Sequence, residues 1–81
     1  MQVTVRVSGV LAREIGRARF SVTLPKQATI QDLLQQLQTQ YPQLSDEIKQ
    51  VVAIISGNHQ PTTVVLQDGQ EVALLLPIAG G

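Results

Sequence analysis

Val3, Val5 and Val7 alternate with Gln2, Thr4 and Arg6, the period-2 pattern of a strand with one buried and one wet face. This predicts a first strand. After Gly9, residues 10–15 are helix formers with room for one or two turns before Gly16, a natural C-terminal stop, so a short helical connection is expected. Phe20, Val22 and Leu24 then alternate with Arg19, Ser21 and Thr23 up to Pro25, which predicts a second strand paired with the first as a long-looped hairpin.

Ile30, Leu33, Leu34 and Leu37 fall at i, i+3, i+4 and i+7, with Gln31, Asp32, Gln35, Gln36 and Gln38 opposite, and define one well-formed amphipathic helix. Thr29 is placed as its N-cap, Asp32 sits in the first turn where the helix dipole favours a carboxylate, and Pro42 marks its end. Residues 51–55 (Val-Val-Ala-Ile-Ile) are apolar without alternation, as expected of a strand covered on both faces or central in a sheet. Gly57-Asn58 reads as a turn, residues 62–66 as a further extended piece, Asp68-Gly69 as a tight turn, and residues 72–76 as the last strand.

With one helix long enough to cover a sheet, the economical packing is α+β, a mixed sheet with the helix across its buried face. That element order is the order of a β-grasp. The first and last strands are then expected side by side and parallel at the sheet centre, in a single domain spanning residues 1–81 whose extended tail, 76–81, leaves from the last strand. Five residues follow Leu76, and at full extension they reach about 17 Å from the body.

Composition narrows the chemistry. Six basic and six acidic residues cancel, and two aromatics are too few for a base-stacking platform, so nucleic acid is not an expected partner. The N-terminal stretch lacks a basic region followed by a continuous apolar run, and no stretch approaches a membrane span, so no membrane association and a cytoplasmic location are expected. Zero cysteines remove disulfides, thiolate metal sites and a cysteine nucleophile. His59 is the single histidine, read as a loop residue with no second ligand at metal-binding spacing, so no metal is expected. The chain has neither a G-x-x-x-x-G-K-[ST] nor a G-x-G-x-x-G sequence, so ATP is expected to be used by a partner and not bound tightly here. The adjacent charges Arg13-Glu14 and Asp46-Glu47 read as solvated turns.

What remains is the end of the chain, Leu74-Leu75-Leu76-Pro77-Ile78-Ala79-Gly80-Gly81. Gly80 and Gly81 carry no Cβ, so they thread a narrow cleft and present an α-carboxylate to a partner's chemistry, while Pro77 stiffens the exit and Ala79 keeps the thread thin. Ile78 reads equally as a hydrophobic anchor or as a cap on the core edge. Leu74 and Leu76 share one strand face and Leu75 takes the other; one set is core and the other a docking patch, and the pattern does not choose between them.

Two segments carry a family resemblance. Ala12-Arg13-Glu14-Ile15-Gly16 resembles the short turn after the first strand of the small, sulfur-carrying subunit of molybdopterin synthase, and the run from Leu66 through Asp68-Gly69-Gln70-Glu71-Val72 to Gly81 is similar to that family's L-x-D-G-D-E-V ending with its Gly-Gly tail. Leu74, Leu75 and Leu76 stand where aromatics are frequent in that family, Leu76-Pro77 replaces a common proline pair, and the chain is neutral where many members are acidic. The resemblance implies a ubiquitin-like β-grasp with a flexible Gly-Gly tail. It further implies that a ubiquitin-activating-like adenylyltransferase adenylates the Gly81 carboxylate with ATP, and that a sulfur donor converts it to a thiocarboxylate. Pro77, Ile78, Ala79 and Gly80 would then occupy the cleft of the synthase large subunit, in a heterotetramer, and Gly81 would give its sulfur to a pyranopterin precursor. The resemblance also implies that such a subunit is not catalytic alone and acts as the sulfur donor within the synthase complex. A carrier for thiamine or another pathway, a protein modifier joined to lysine through Gly81, and a β-grasp binding module with an idle tail are the competing readings.

Overall fold

The computed structural model describes residues 1–77. β1 (Gln2–Arg6) leads through α1 (Gly9–Ile15) to β2 (Arg19–Thr23), and α2 (Ile30–Gln40) follows. A 3-10 turn (Pro42–Leu44), α3 (Ser45–Gln50), the hairpin β3 (Val52–Ile55) and β4 (Asn58–Gln60), and β5 (Glu71–Leu75) complete the order. The sheet runs β2-β1-β5-β3-β4, mixed, with β1 and β5 parallel at its centre and the other pairs antiparallel. This is the expected α+β β-grasp.

Alternation does the sorting. Val3 and Val5 of β1, Phe20 and Val22 of β2, Ala53 and Ile55 of β3, and Val72 and Leu74 of β5 all face α2, whose Ile30, Leu33, Leu34 and Leu37 close the core. Among the described residues, no polar or charged residue is buried. One face of the sheet is thereby covered and the other left open.

α2 begins where expected. Thr29 Oγ1 accepts from the Asp32 N–H at 3.2 Å while Asp32 Oδ2 accepts from the Thr29 N–H at 2.9 Å, a capping box closed by Asp in place of the usual Glu. The next two N–H groups, of Ile30 and Gln31, donate to the Val64 and Thr62 carbonyls at 3.0 and 2.9 Å, so the helix start is satisfied from two sides. Thr29→Ala removes the side-chain half of this arrangement and is expected to cost about 1 kcal/mol. Urea unfolding should show a lower midpoint at unchanged slope.

Three expectations are corrected. Residues 62–66 form no strand: Pro61 lacks an N–H, Val64 turns back onto its carbonyl at 3.2 Å, and the segment joins no ladder of the sheet, being tied to residues 28–31 by the isolated Thr29–Val65 bridge and by hydrogen bonds of Thr62, Val64 and Leu66. The hairpin turn is Ser56-Gly57, with φ of 51° and 79°, the pair of left-handed residues a two-residue type I′ turn requires, so Asn58 and His59 belong to β4 and His59 is not a loop residue. Of the two readings of residues 51–55, β3 takes the second: it is paired on both sides, by β5 and β4, inside the sheet, while only Ala53 and Ile55 are buried. Neither charge pair coats a turn: Arg13 and Glu14 lie in α1, and Asp46 and Glu47 occupy the first turn of α3, which Leu44 and Ile48 fasten to the core.

Candidate functional site

The last strand is held by the turn that precedes it. Asp68 Oδ1 accepts from the Gln2 N–H at 2.8 Å, Gly69 donates to the Gln2 carbonyl at 2.7 Å, and the Gln70 carbonyl accepts from Thr4 at 2.9 Å. Gly69 has φ 80°, a backbone region that an L side chain enters only at a cost. Glu71 then forms ion pairs with both Arg6 (3.4 Å) on β1 and Arg19 (3.0 Å) on β2. Asp68-Gly69-Gln70-Glu71 is therefore a latch that seats β5 against β1 in fixed register, and the register sets where the chain leaves the sheet.

The open face has two halves. Register puts Arg19, Arg6, Ala73, Ile54 and His59 in one row across all five strands, with Val52 and Leu75 paired in the next row beyond Ala73 and Ile54. Arginines bridged by Glu71 occupy the β2–β1 side, and aliphatic side chains occupy the β5–β3 side. A groove of about 570 Å³ runs between them, lined by Arg6, Ile54, Glu71, Ala73 and Leu75 among others. Its lining mixes the aliphatic Ile54, Ala73 and Leu75 with the polar and charged Arg6, Gln70 and Glu71.

Sequence-predicted residues fall as follows. Leu74 is 1% exposed and lies in the core, which removes it from any docking patch, and Leu76 packs half-buried against that core. Leu75 is 41% exposed and faces the groove. Pro77 is exposed just beyond β5; Ile78, Ala79, Gly80 and Gly81 lie outside the described residues. His59 is exposed beside Ile54. Among the described residues there is no cluster of three or more His, Asp or Glu side chains able to hold a metal, and no helix long and apolar enough to cross a membrane.

The ThiS family model matches residues 5–81, nearly the whole chain. The chain belongs to the ThiS family. A curated relative from Mycobacterium tuberculosis (strain ATCC 25618 / H37Rv), the molybdopterin synthase sulfur carrier subunit, is 35% identical over 63 residues, 78% of this chain and 76% of the relative. Among solved structures, the putative molybdopterin converting factor, subunit 1, of Pyrococcus furiosus superposes with a TM-score of 0.84 at 20% identity, over 96% of this chain and 99% of the other. A chain in the protein–protein complex of subunits 1 and 2 of the molybdopterin-converting factor from Helicobacter pylori 26695 gives 0.67 at 21% identity over all of both chains. The resemblance carried by Ala12-Arg13-Glu14-Ile15-Gly16 and by the run from Leu66 to Gly81 is thus met by membership of this family.

Sequence reasoning missed part of this open face. Arg6 and Arg19 read as the wet positions of two separate strands; what joins them is Glu71, contributed from the other end of the chain. Val52 and Ile54 were hidden in a five-residue apolar run, where only strand register tells inner from outer residues. The available signal was Ala73 and Leu75, aliphatic at the alternate positions of a strand whose other face is also aliphatic.

Proposed function

We propose that this chain is the sulfur-carrier small subunit of a molybdopterin synthase, with the carboxylate of Gly81 as its working group. The observation that carries the reading is the 35% identity to a curated carrier subunit, together with a family match that runs through residue 81. The latch and the open face support it physically: β5 is fixed at the sheet centre, and a groove with Ile54, Ala73 and Leu75 in its lining lies beside its last residue.

In this reading an adenylyltransferase of the ubiquitin-activating kind joins the Gly81 carboxylate oxygen to the α-phosphorus of ATP and releases pyrophosphate. The resulting mixed anhydride makes AMP a good leaving group, and a sulfur nucleophile from the donor displaces it to leave a thiocarboxylate. The large subunit then receives the tail in its cleft, supplies the catalytic side chains, and passes the sulfur to the pterin precursor; water restores the carboxylate. The β5–β3 side of the open face, centred on Leu75 with Val52, Ile54 and Ala73, is the surface against which the large subunit docks. Pro77, Ile78, Ala79 and Gly80 bridge from that surface to the reacting carbon.

The test is the intact mass of the full chain after incubation with ATP, a matching activating enzyme and a sulfur donor, followed by addition of large subunit and precursor. Exchange of one oxygen for sulfur, then its loss as dithiolene forms, is the expected result. Loading without transfer to the pterin precursor assigns the carrier to another sulfur pathway, and no loading by an enzyme active on a second carrier rejects sulfur carriage.

A further inference from the structure

β2 is an edge strand of the sheet, and its free side is a second site that shares no lining residue with the open-face groove. Met1 and Leu24 exchange hydrogen bonds at 2.8 Å, and Val7 donates to the Ala18 carbonyl at 2.9 Å. In an antiparallel ladder bonded and non-bonded pairs alternate, so the backbone groups of Val22 and Phe20 point toward β1 and those of Arg19, Ser21 and Thr23 point outward. Gln36 Nε2, from α2, donates to the outward Thr23 carbonyl at 3.1 Å. The N–H and C=O of Arg19 and Ser21 and the N–H of Thr23 remain as a row of outward donors and acceptors.

Several of the usual protections of an edge are missing. β2 pairs in unbroken register without a bulge, and its sequence, Arg-Phe-Ser-Val-Thr, holds no proline or lysine. Beside it runs a groove of about 290 Å³ lined by Arg17, Phe20 and Thr23 on one side and by Gln36, Gln40 and Tyr41 on the other. The lining is largely polar, and the Arg17 guanidinium lies 5.4 Å from the Phe20 ring centroid, over the groove. Residues 17–31 carry no acidic side chain, and with Arg19 paired to Glu71 on the open face, Arg17 is the cation that lines this groove. A second copy pairing through β2 would bring no carboxylate from its own residues 17–31 to the groove. A strand bearing carboxylates would be complementary in both backbone and charge.

We propose that the β2 edge binds an extended acidic segment of a partner protein as a sixth strand, with carboxylates seated in the Arg17 groove. The site is independent of the Gly81 chemistry. The probe is a capped heptapeptide, Asp-Val-Asp-Val-Asp-Val-Asp, added to the isotopically labelled full chain, with the same peptide carrying Lys for Asp as control. The acidic peptide should shift the amides of Arg19, Ser21 and Thr23 and slow their exchange with solvent. Ser21→Pro deletes an outward N–H without touching the β1 ladder and should weaken binding at least about tenfold, as for loss of a charge-steered backbone bond. Arg17→Glu keeps the backbone intact and should weaken binding at least about threefold, so it decides the matter if the proline variant fails to fold. Equal binding of the lysine peptide, shifts confined to Ile54, Ala73 and Leu75, or dimerisation through β2 would each overturn the proposal.

Discussion

A chain ending at Gly80 is expected to fold as the full chain does and to load no sulfur. Among the described residues every buried core residue lies between Val3 and Leu74, with Leu76 packed against them, and Gly81 has no side chain to contribute to a core. The effect of its removal on unfolding free energy should stay within about 0.5 kcal/mol. The effect on chemistry is of a different order. Deleting one residue withdraws the carboxylate by about 3.3 to 3.6 Å along an extended chain, and a misplacement of about 1 Å already costs roughly a hundredfold when reaction depends on alignment.

Appending one alanine after Gly81 should fail equally, since it moves the carboxylate forward and adds a Cβ at the narrowest point. Intact mass after the loading reaction reads both variants, and thermal unfolding reads their stability. The readout is unusually clean because the chain has no cysteine, so added sulfur cannot be a side-chain persulfide. Loading of the shortened chain at the full chain's rate would remove Gly81 from the mechanism.

The same contrast between local and long-range information explains what was legible in the sequence. Val3-Val5-Val7, Phe20-Val22-Leu24 and the Ile30 to Leu37 stripe each carry their periodicity within a few residues, and each became the element it specified. α3 offered only Leu44 and Ile48, one i, i+4 pair, too little periodicity to separate a six-residue helix from a polar turn. Residues 62–66 failed in the opposite sense: Thr-Thr-Val-Val-Leu has strong strand propensity, but Thr62 and Val64 spend their carbonyls on the first N–H groups of α2. Tertiary demand overrode local preference there. For the site, the Asp68-Gly69 turn was readable as a turn, whereas its function as a latch depends on Gln2, 66 residues away. The Arg6–Glu71–Arg19 bridge required knowing that β5 lies beside β1.

Leu74→Ala and Leu75→Ala should separate stability from partner binding at adjacent positions. Leu74 is 1% exposed, paired by register with Ala53 and packed in the layer that α2 covers. Truncating it removes buried carbons and leaves a void, with an expected loss of about 2 to 5 kcal/mol. A domain of this length has roughly 4 to 12 kcal/mol in total, so much of the population should unfold at temperatures where the full chain is intact. Leu75 points the other way, 41% exposed beside Val52 and Ile54, and its truncation should change stability by no more than about 0.5 kcal/mol. If the β5–β3 surface docks the large subunit, Leu75 is its most exposed aliphatic anchor, and its loss should weaken association at least about fivefold, the threshold of a contributing interface residue. Chemical denaturation measures the first quantity for both variants, and calorimetric titration with purified large subunit measures the second for the folded Leu75→Ala chain. Unchanged affinity in that variant would move the docking surface away from the open face while leaving the Gly81 chemistry intact, because the latch fixes the tail's exit whichever surface the partner grips.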